Sequence, residues 1–268
     1  MDKQKLYTIG YTLFRNREGI DLEIMFETLK KYNVSYLVDV RSVPFSNQYQ
    51  QCNSNNLKVA GKHYGVPYLH IPELGAKASP QQEVFSKASD VFFDDIFPIA
   101  ASKRPEKNEL HPTDEIVDFQ KFRNDEFFLQ GIKRIENAYD RNYTLALMCS
   151  EKEPINCHRY FLVSRKIEQM FGEWIEVEHI VQNDNSEITT ISNNALDKEL
   201  SDNIFKREEI RKLKIHDIDM FSNEAKINNY FGDTIQDKIK DFCDRYWNLM
   251  HGWKKSNNNN YNKNEDYD

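Results

Sequence analysis

The sequence predicts an α/β protein: a mostly parallel sheet of about five strands flanked by helices, followed by a helical C-terminal extension and a disordered tail. Three observations carry this expectation. Short runs rich in β-branched and aromatic residues recur between residues 6 and 180, as strands do. Amphipathic stretches of helical period separate those runs. After residue 182 the composition shifts, and Asn183–Asn194 is polar and Asn- and Asp-rich. Strands alternating with helices favour a parallel sheet covered on both faces.

Leu6–Gly10 reads as the first strand, stopping at a glycine. Asp21–Lys31 is helical, with Leu22, Met25, Phe26 and Leu29 on one face and Asp21 placed as the N-cap. Ser35–Val40 is the second strand, Asn56–Tyr64 a short helix, and Tyr68–Ile71 the third strand. Residues 76–114 hold Phe85, Phe92, Phe93 and Phe97 between polar stretches without a clean period, and read as an insertion with short helices or as a lid. Glu126–Tyr139 is helical, with Phe128, Ile132, Ile135 and Tyr139 on one face. Tyr143–Met148 is the fourth strand, Cys157 to about Phe171 a helix, and Ile175–Ile180 the fifth strand. Asn183–Asn194 is a linker or an edge hairpin. Leu196–Lys214 and Thr234–Met250 are helical, and the stripe Ile235, Ile239, Phe242, Tyr246 and Leu249 is of the kind that packs on a parent domain. Ser256–Asp268 has too little apolar surface to offset its ordering entropy. The expected divisions are therefore 5–182, 183–255 and 256–268.

With 268 residues and 39% apolar content, the chain can build one substantial core or one core and an appendage. A formal charge of −7 gives no overall pull toward nucleic acid or an anionic membrane, although a local basic patch is compatible with it. The apolar run Tyr143–Met148 is far short of the ~20 residues of a membrane span, and MDKQKLYTIGYT lacks the ~7–15-residue apolar core of a signal peptide. These features point to a cytoplasmic protein without a membrane partner. Four cysteines in such a chain are too few for a disulfide scaffold.

Chemistry-bearing residues gather at the ends of the expected strands. Leu145–Arg159 (LALMCSEKEPINCHR) is the densest case: two thiols, two carboxylates, an imidazole and a guanidinium at one strand–loop–helix junction. Open α/β sheets bind ligands at such junctions. Three further blocks fall at strand ends: Thr8-Ile9-Gly10-Tyr11-Thr12, Val38-Asp39-Val40-Arg41-Ser42-Val43-Pro44-Phe45-Ser46, and His70-Ile71-Pro72-Glu73-Leu74-Gly75. The order and spacing of the four blocks over residues 6–181, with His179-Ile180 after the last strand, resemble the "domain of unknown function 488" family. The resemblance implies an α/β fold and carries no reaction with it. This chain has Tyr11 where the family often has His, and Ala76 where it usually has a second glycine.

From the residues themselves, Cys149, Glu151, His158 and Asp39 are the candidates for catalysis. Cys149 is a nucleophile if a positive neighbour or helix N-terminus activates it, and otherwise a core thiol. Glu151 or His158 can move protons. Tyr11, Thr12, Arg41, Ser42, His70, Glu73, Cys157 and Arg159 are the candidates for substrate binding. Arg159 beside a helix N-terminus suits a phosphate or carboxylate, or else it pairs with Asp39 or Glu151 to fix the loop. The Cys149–Cys157 spacing, with His158 or His179 as further ligands, fits no standard zinc pattern, so no metal and no cofactor are expected. The leading expectation is an enzyme acting on an anionic, phosphate-bearing substrate such as a nucleotide or nucleic acid. The alternatives are a non-catalytic binding module for the same ligands, with its arginines at an open groove and its cysteines inert, and a redox sensor using Cys149 and Cys157.

Overall fold

The computed structural model describes residues 3–91, 99, 101, 109–215, 217 and 225–255. They form two compact units, one from residues 3–77 and 123–193 and the other from the described parts of 78–122 and 194–255.

The first unit is a six-stranded sheet. Its strands are β1 (Gln4–Gly10), β2 (Tyr36–Asp39), β3 (Tyr68–His70), β4 (Leu145–Cys149), β5 (Ile175–Gln182) and β6 (Ile188–Ser192), in the spatial order β6-β5-β1-β4-β2-β3. All pairings are parallel except that of β6 with β5. The α/β class is thus as expected. The sixth strand is the edge hairpin that Asn183–Asn194 allowed: Thr189 and Thr190 sit opposite Val181 and Ile180.

Helix α1 (Leu22–Lys31) starts where Asp21 Oδ1 accepts the Ile24 N–H at 3.1 Å. This satisfies one of the amides a helix start leaves without an internal partner. Its Met25, Phe26 and Leu29, with Leu57 of α2 (Ser54–Tyr64), pack on Tyr7 and Ile9 of β1, Leu37 of β2, and Ala146 and Met148 of β4. Because side chains alternate along a strand, the opposite face carries Thr8, Leu147, Cys149 and His179. On that face the Tyr160 ring lies 5.5 Å from the His179 ring. His179 is held between Thr8 Oγ1 at 2.7 Å and Asn193 Oδ1 at 2.6 Å, so it is a satisfied core histidine. Helix α3 (Glu126–Tyr139) is capped by Asp125, whose Oδ2 accepts the Phe128 N–H at 3.1 Å.

The helix expected from Cys157 begins differently. Residues Arg159–Ser164 form a wide π-type turn before the regular helix α4 (Arg165–Phe171). All six residues of the turn are buried. Within α4 the buried positions are Arg165, Lys166, Ile167 and Phe171, whereas Met170 is 46% exposed.

In the second unit, Phe85–Lys87 pairs antiparallel with Glu115–Val117. Part of the 76–114 stretch therefore forms one strand of this pair as well as the short helix Ala88–Val91. Phe92, Phe93 and Phe97 lie outside the described residues, as does the tail from 256. The C-terminal extension supplies α5 (Asn193–Phe205), the short helix Glu208–Lys212, and α6 (Ile235–His251). Phe242, Tyr246 and Leu249 of the apolar stripe are buried. Asn248 on α6 accepts the Phe119 N–H and donates to the Val117 carbonyl, both at 2.7 Å. The extension thus packs with residues 78–122, and the division expected at residue 182 falls at 193 instead, because β6 completes the sheet. No helix among the described residues is long and apolar enough to cross a membrane.

The sheet order decides where a ligand can enter. Strand β4 lies between β1 and β2. Both neighbours lead to helices packed on the Ile9–Met148 face, while β4 leads to the segment packed on the opposite face. Connections that part in this way open a crevice at the carboxyl ends of the strands. Gly10, the last residue of β1, is paired with Cys149 there. A β-carbon on Gly10 would sit 1.7 Å from the Glu151 carbonyl oxygen and 3.2 Å from Arg159 Nη1. Gly10→Ala is expected to destabilise the chain by about 1–3 kcal/mol or more, as overpacking against backbone does. A urea unfolding curve measures this, and wild-type stability would show that the loop yields freely.

Candidate functional site

The loop after β4 is shaped by its own backbone. Three consecutive carbonyls are turned toward protein donors. Ser150 O accepts from Thr12 Oγ1 at 2.6 Å and from the Thr12 N–H at 3.2 Å. Glu151 O and Lys152 O accept from Arg159 Nη1 at 2.6 Å and Nη2 at 2.9 Å. Arg159 is fully buried. Its alternative role of fixing the loop is realised through main-chain carbonyls, not through the carboxylates of Asp39 or Glu151. Its Nε–H has no hydrogen-bond partner among the described residues.

This clasp brings four reactive groups together. Cys149 Sγ lies 3.1 Å from Glu151 Oε2 and 3.7 Å from His158 Nδ1. Cys157 Sγ lies 3.9 Å from the same Nδ1. Both cysteines are buried and free. His158 is half-buried, and its Nε2 faces the Val40 carbonyl at 3.1 Å. A carbonyl only accepts, so Nε2 carries a proton, and the ring turns its Nδ1 toward the sulfurs. The donor atoms of Cys149, Cys157 and His158 lie within 4.8 Å of one another and form a set able to hold a metal ion.

The electrostatics of the metal-free cluster follow from this geometry. Burial alone would raise the Cys157 thiol. The Cys149 hydrogen bond, the Arg159 guanidinium and His158 outweigh it and hold Cys157 well below the ordinary thiol range. Cys149 moves the opposite way, raised by its hydrogen bond to Cys157, by burial and by the neighbouring negative charges of Cys157 and Glu151. Burial disfavours the His158 cation, yet the Cys157 thiolate and the Glu151 carboxylate raise its pKa. Residue 151 as a whole is exposed, but its carboxylate turns in toward the thiols. There, lost hydration and the Cys157 charge push it up to about 7.

Asp39 does not join this cluster. It is paired with Met148 in the sheet and so faces away from Cys149. Fully buried, it accepts from Arg41 Nε at 2.9 Å, Arg41 Nη2 at 2.6 Å and the Tyr68 hydroxyl at 2.8 Å. The expectation that it shares a catalytic site with Cys149 and Glu151 is corrected accordingly. Arg41 is likewise buried. Burial opposes its charge, but the Asp39 pairing more than restores it. Its Nη2 also donates to Cys52 O at 2.7 Å, and the guanidinium lies 5.3 Å from the Tyr11 ring. Burial raises the Tyr11 hydroxyl, and it pushes the Cys52 thiol up to about 12.

The remaining candidates serve the loops around the crevice. Ser42 Oγ accepts the Lys77 N–H at 2.9 Å. His70 Nε2 donates to Arg41 O at 2.8 Å. Glu73 takes both carboxylate oxygens to Arg134 Nη1 at 3.0 Å. Neither Arg41 nor Arg159 lines an open groove. Two contributors escaped the sequence reading. The first is the Val40 carbonyl, which has no side-chain signal. The second is Tyr68, whose hydroxyl was hidden in an apolar strand.

Residues 21–97 and 99–165 match the family described as Domain of unknown function DUF488. The chain belongs to the DUF488 family. The match ends just after the π-type turn, so it contains β2, β3, β4 and the whole of the Cys149–Arg159 loop. No curated protein and no solved structure matches the chain. The DUF488 description names no activity, so the chemistry rests on the geometry.

Two outcomes are expected for this DUF488 chain. Asp39→Ala leaves the Arg41 cation buried without its carboxylate and should cost about 3–5 kcal/mol in urea unfolding. The second concerns pH. Glu151 binds its proton more tightly in the folded chain than in the unfolded one, so that contribution to stability is full below the ordinary carboxylate range. It is lost as pH rises through about 7. In metal-free protein, Glu151→Gln should flatten this decline, seen as melting temperatures that vary less between acid and neutral pH. An unchanged pH profile would place the carboxylate in water.

Proposed function

We propose that this DUF488 protein is an enzyme whose reactive centre is Cys149, Glu151, Cys157 and His158, acting on an anionic substrate at the carboxyl end of β4. One observation carries the reading. Two sulfurs, an imidazole nitrogen and a carboxylate oxygen converge at a strand-end crevice, while the polar groups around them are engaged in holding loops. Reactive groups brought into mutual contact are what proton transfer or covalent attack requires.

The anionic character of the substrate has narrower support. Arg159 is a buried cation with no carboxylate partner among the described residues, so its field acts on the crevice from behind the loop. A phosphate-bearing molecule, such as a nucleotide or the end of a nucleic acid, is the first class to test. The binding-module reading asks for arginines at an open groove and inert cysteines. Buried arginines engaged with protein acceptors weigh against it.

The test is turnover of a panel of nucleotides and short oligonucleotides, with products identified by mass spectrometry and binding followed in parallel by calorimetry. Wild-type protein is expected to form product, and His158→Ala or Glu151→Gln to lower the rate by ~10²-fold or more while leaving binding largely intact. Binding without product by the wild-type chain would overturn the proposal in favour of a module.

A further inference from the structure

We propose that Cys149 Sγ, Cys157 Sγ and His158 Nδ1 are the protein ligands of a zinc ion, and that Glu151 flanks its fourth position. The inference rests on the reading that this cluster is the reactive centre, and supplies the cofactor of that centre.

The first support is distance. In a tetrahedral site with Zn–S bonds of about 2.3 Å and Zn–N bonds of about 2.0–2.1 Å, sulfur and nitrogen ligands stand ~3.6 Å apart. The two sulfur–Nδ1 separations are 3.7 and 3.9 Å. All three donor atoms fall within 4.8 Å of one another. The two sulfur–nitrogen separations are thus within a few tenths of an ångström of the tetrahedral value.

The second support is the histidine itself. A metal-binding imidazole commonly donates its other N–H to a carbonyl or carboxylate, which fixes the tautomer and aims the lone pair. His158 Nε2 does this with the Val40 carbonyl at 3.1 Å. That leaves Nδ1 pointing between two sulfurs.

The third support is charge and access. Two thiolates cancel a dication, and the Glu151 carboxylate balances the Arg159 guanidinium. With a neutral His158, the whole set of five residues and ion is then neutral, as a buried site needs to be. Thiolate and imidazole donors favour zinc over the hard cations magnesium and calcium. Both thiols are buried, whereas residue 151 as a whole reaches solvent while its carboxylate turns in toward them. Three protein ligands with an approachable fourth position is the pattern of a zinc ion that does chemistry, not one that only holds a fold. The wide spacing of Cys149 and Cys157 in sequence hides the site. The strand end fixes one thiol, and the Arg159 clasp returns the chain to place the other.

The experiment is elemental analysis of the full-length chain purified without chelator, followed by metal removal and titration with Co²⁺, whose thiolate charge-transfer and tetrahedral d–d absorption report the ligands directly. About one zinc per chain is expected, with a Co²⁺ spectrum of two-sulfur tetrahedral type. Cys149→Ser, Cys157→Ser and His158→Ala should each lower metal content at least about tenfold. His63→Ala, an exposed imidazole on α2, should keep it. The wild-type Co²⁺ titration decides the matter even where a variant fails to fold. Absence of zinc with no charge-transfer band on adding Co²⁺, or a Cys149–Cys157 disulfide in place of the metal, would overturn the site. Turnover is measured separately. Metal bound at this site without turnover of any panel substrate sinks the enzyme reading and leaves the zinc site standing, while undiminished turnover by metal-free chain sinks zinc as the cofactor and leaves the enzyme.

Discussion

The guanidinium of Arg159, buried and clasped to the Glu151 and Lys152 carbonyls, is the constraint on which the carboxyl end of β4 depends. A loop that runs from a central strand into a buried turn has to satisfy its backbone carbonyls internally, since each unpaired buried polar group costs free energy. Arg159 supplies two donors in one rigid plane and Thr12 supplies two more to Ser150. With three successive carbonyls fixed, the side chains of Cys149 and Glu151 have one arrangement, and Cys157 and His158 are returned to meet them. A lysine could not make the same two parallel contacts. Gly10 admits this packing because any side chain there would occupy the space of the Glu151 carbonyl.

A second buried arginine works on the other face of the sheet. Arg41 and Asp39 form a two-point ion pair closed by the Tyr68 hydroxyl. A buried pair of this kind adds little net stability over an apolar equivalent, and breaking it is expensive. Its benefit is geometric. It sets the path of the chain leaving β2, and therefore the position of the Val40 carbonyl that orients His158. The two faces are thus connected through the backbone at the end of one strand.

Much of the fold was legible because its signals are local. The apolar faces of α1 and α3, with Asp21 at the start of the first, and the strand-like runs of β1, β2, β4 and β5 each identify an element within a few residues. The candidate site was legible as a set of strand ends, and Cys149, Glu151, Cys157 and His158 do come together. What the sequence could not reveal was which side of the sheet each residue faces once strands are ordered. Asp39 and Cys149 are both strand-end residues, yet the register pairs Asp39 with Met148 and parts them. The roles of Arg41 and Arg159 were hidden for a related reason. An arginine near a helix start reads as an anion binder until its acceptors are known, and here they are backbone carbonyls and a buried aspartate. The π-type turn was illegible because Tyr160–Val163 is an unbroken apolar run, all of it buried, so its spacing shows no period.

The anchoring of His158 through Nε2 has one more consequence. Gaining a proton, losing it or accepting an electrophile all happen at Nδ1, on the far side of the ring from the Val40 carbonyl. Nε2 keeps its hydrogen in each case, so the anchor persists through every state of the ring. His70 holds the adjacent Arg41 carbonyl by the same nitrogen. The imidazole can therefore change its charge without changing its aim, and the protein reorganises little when that charge moves.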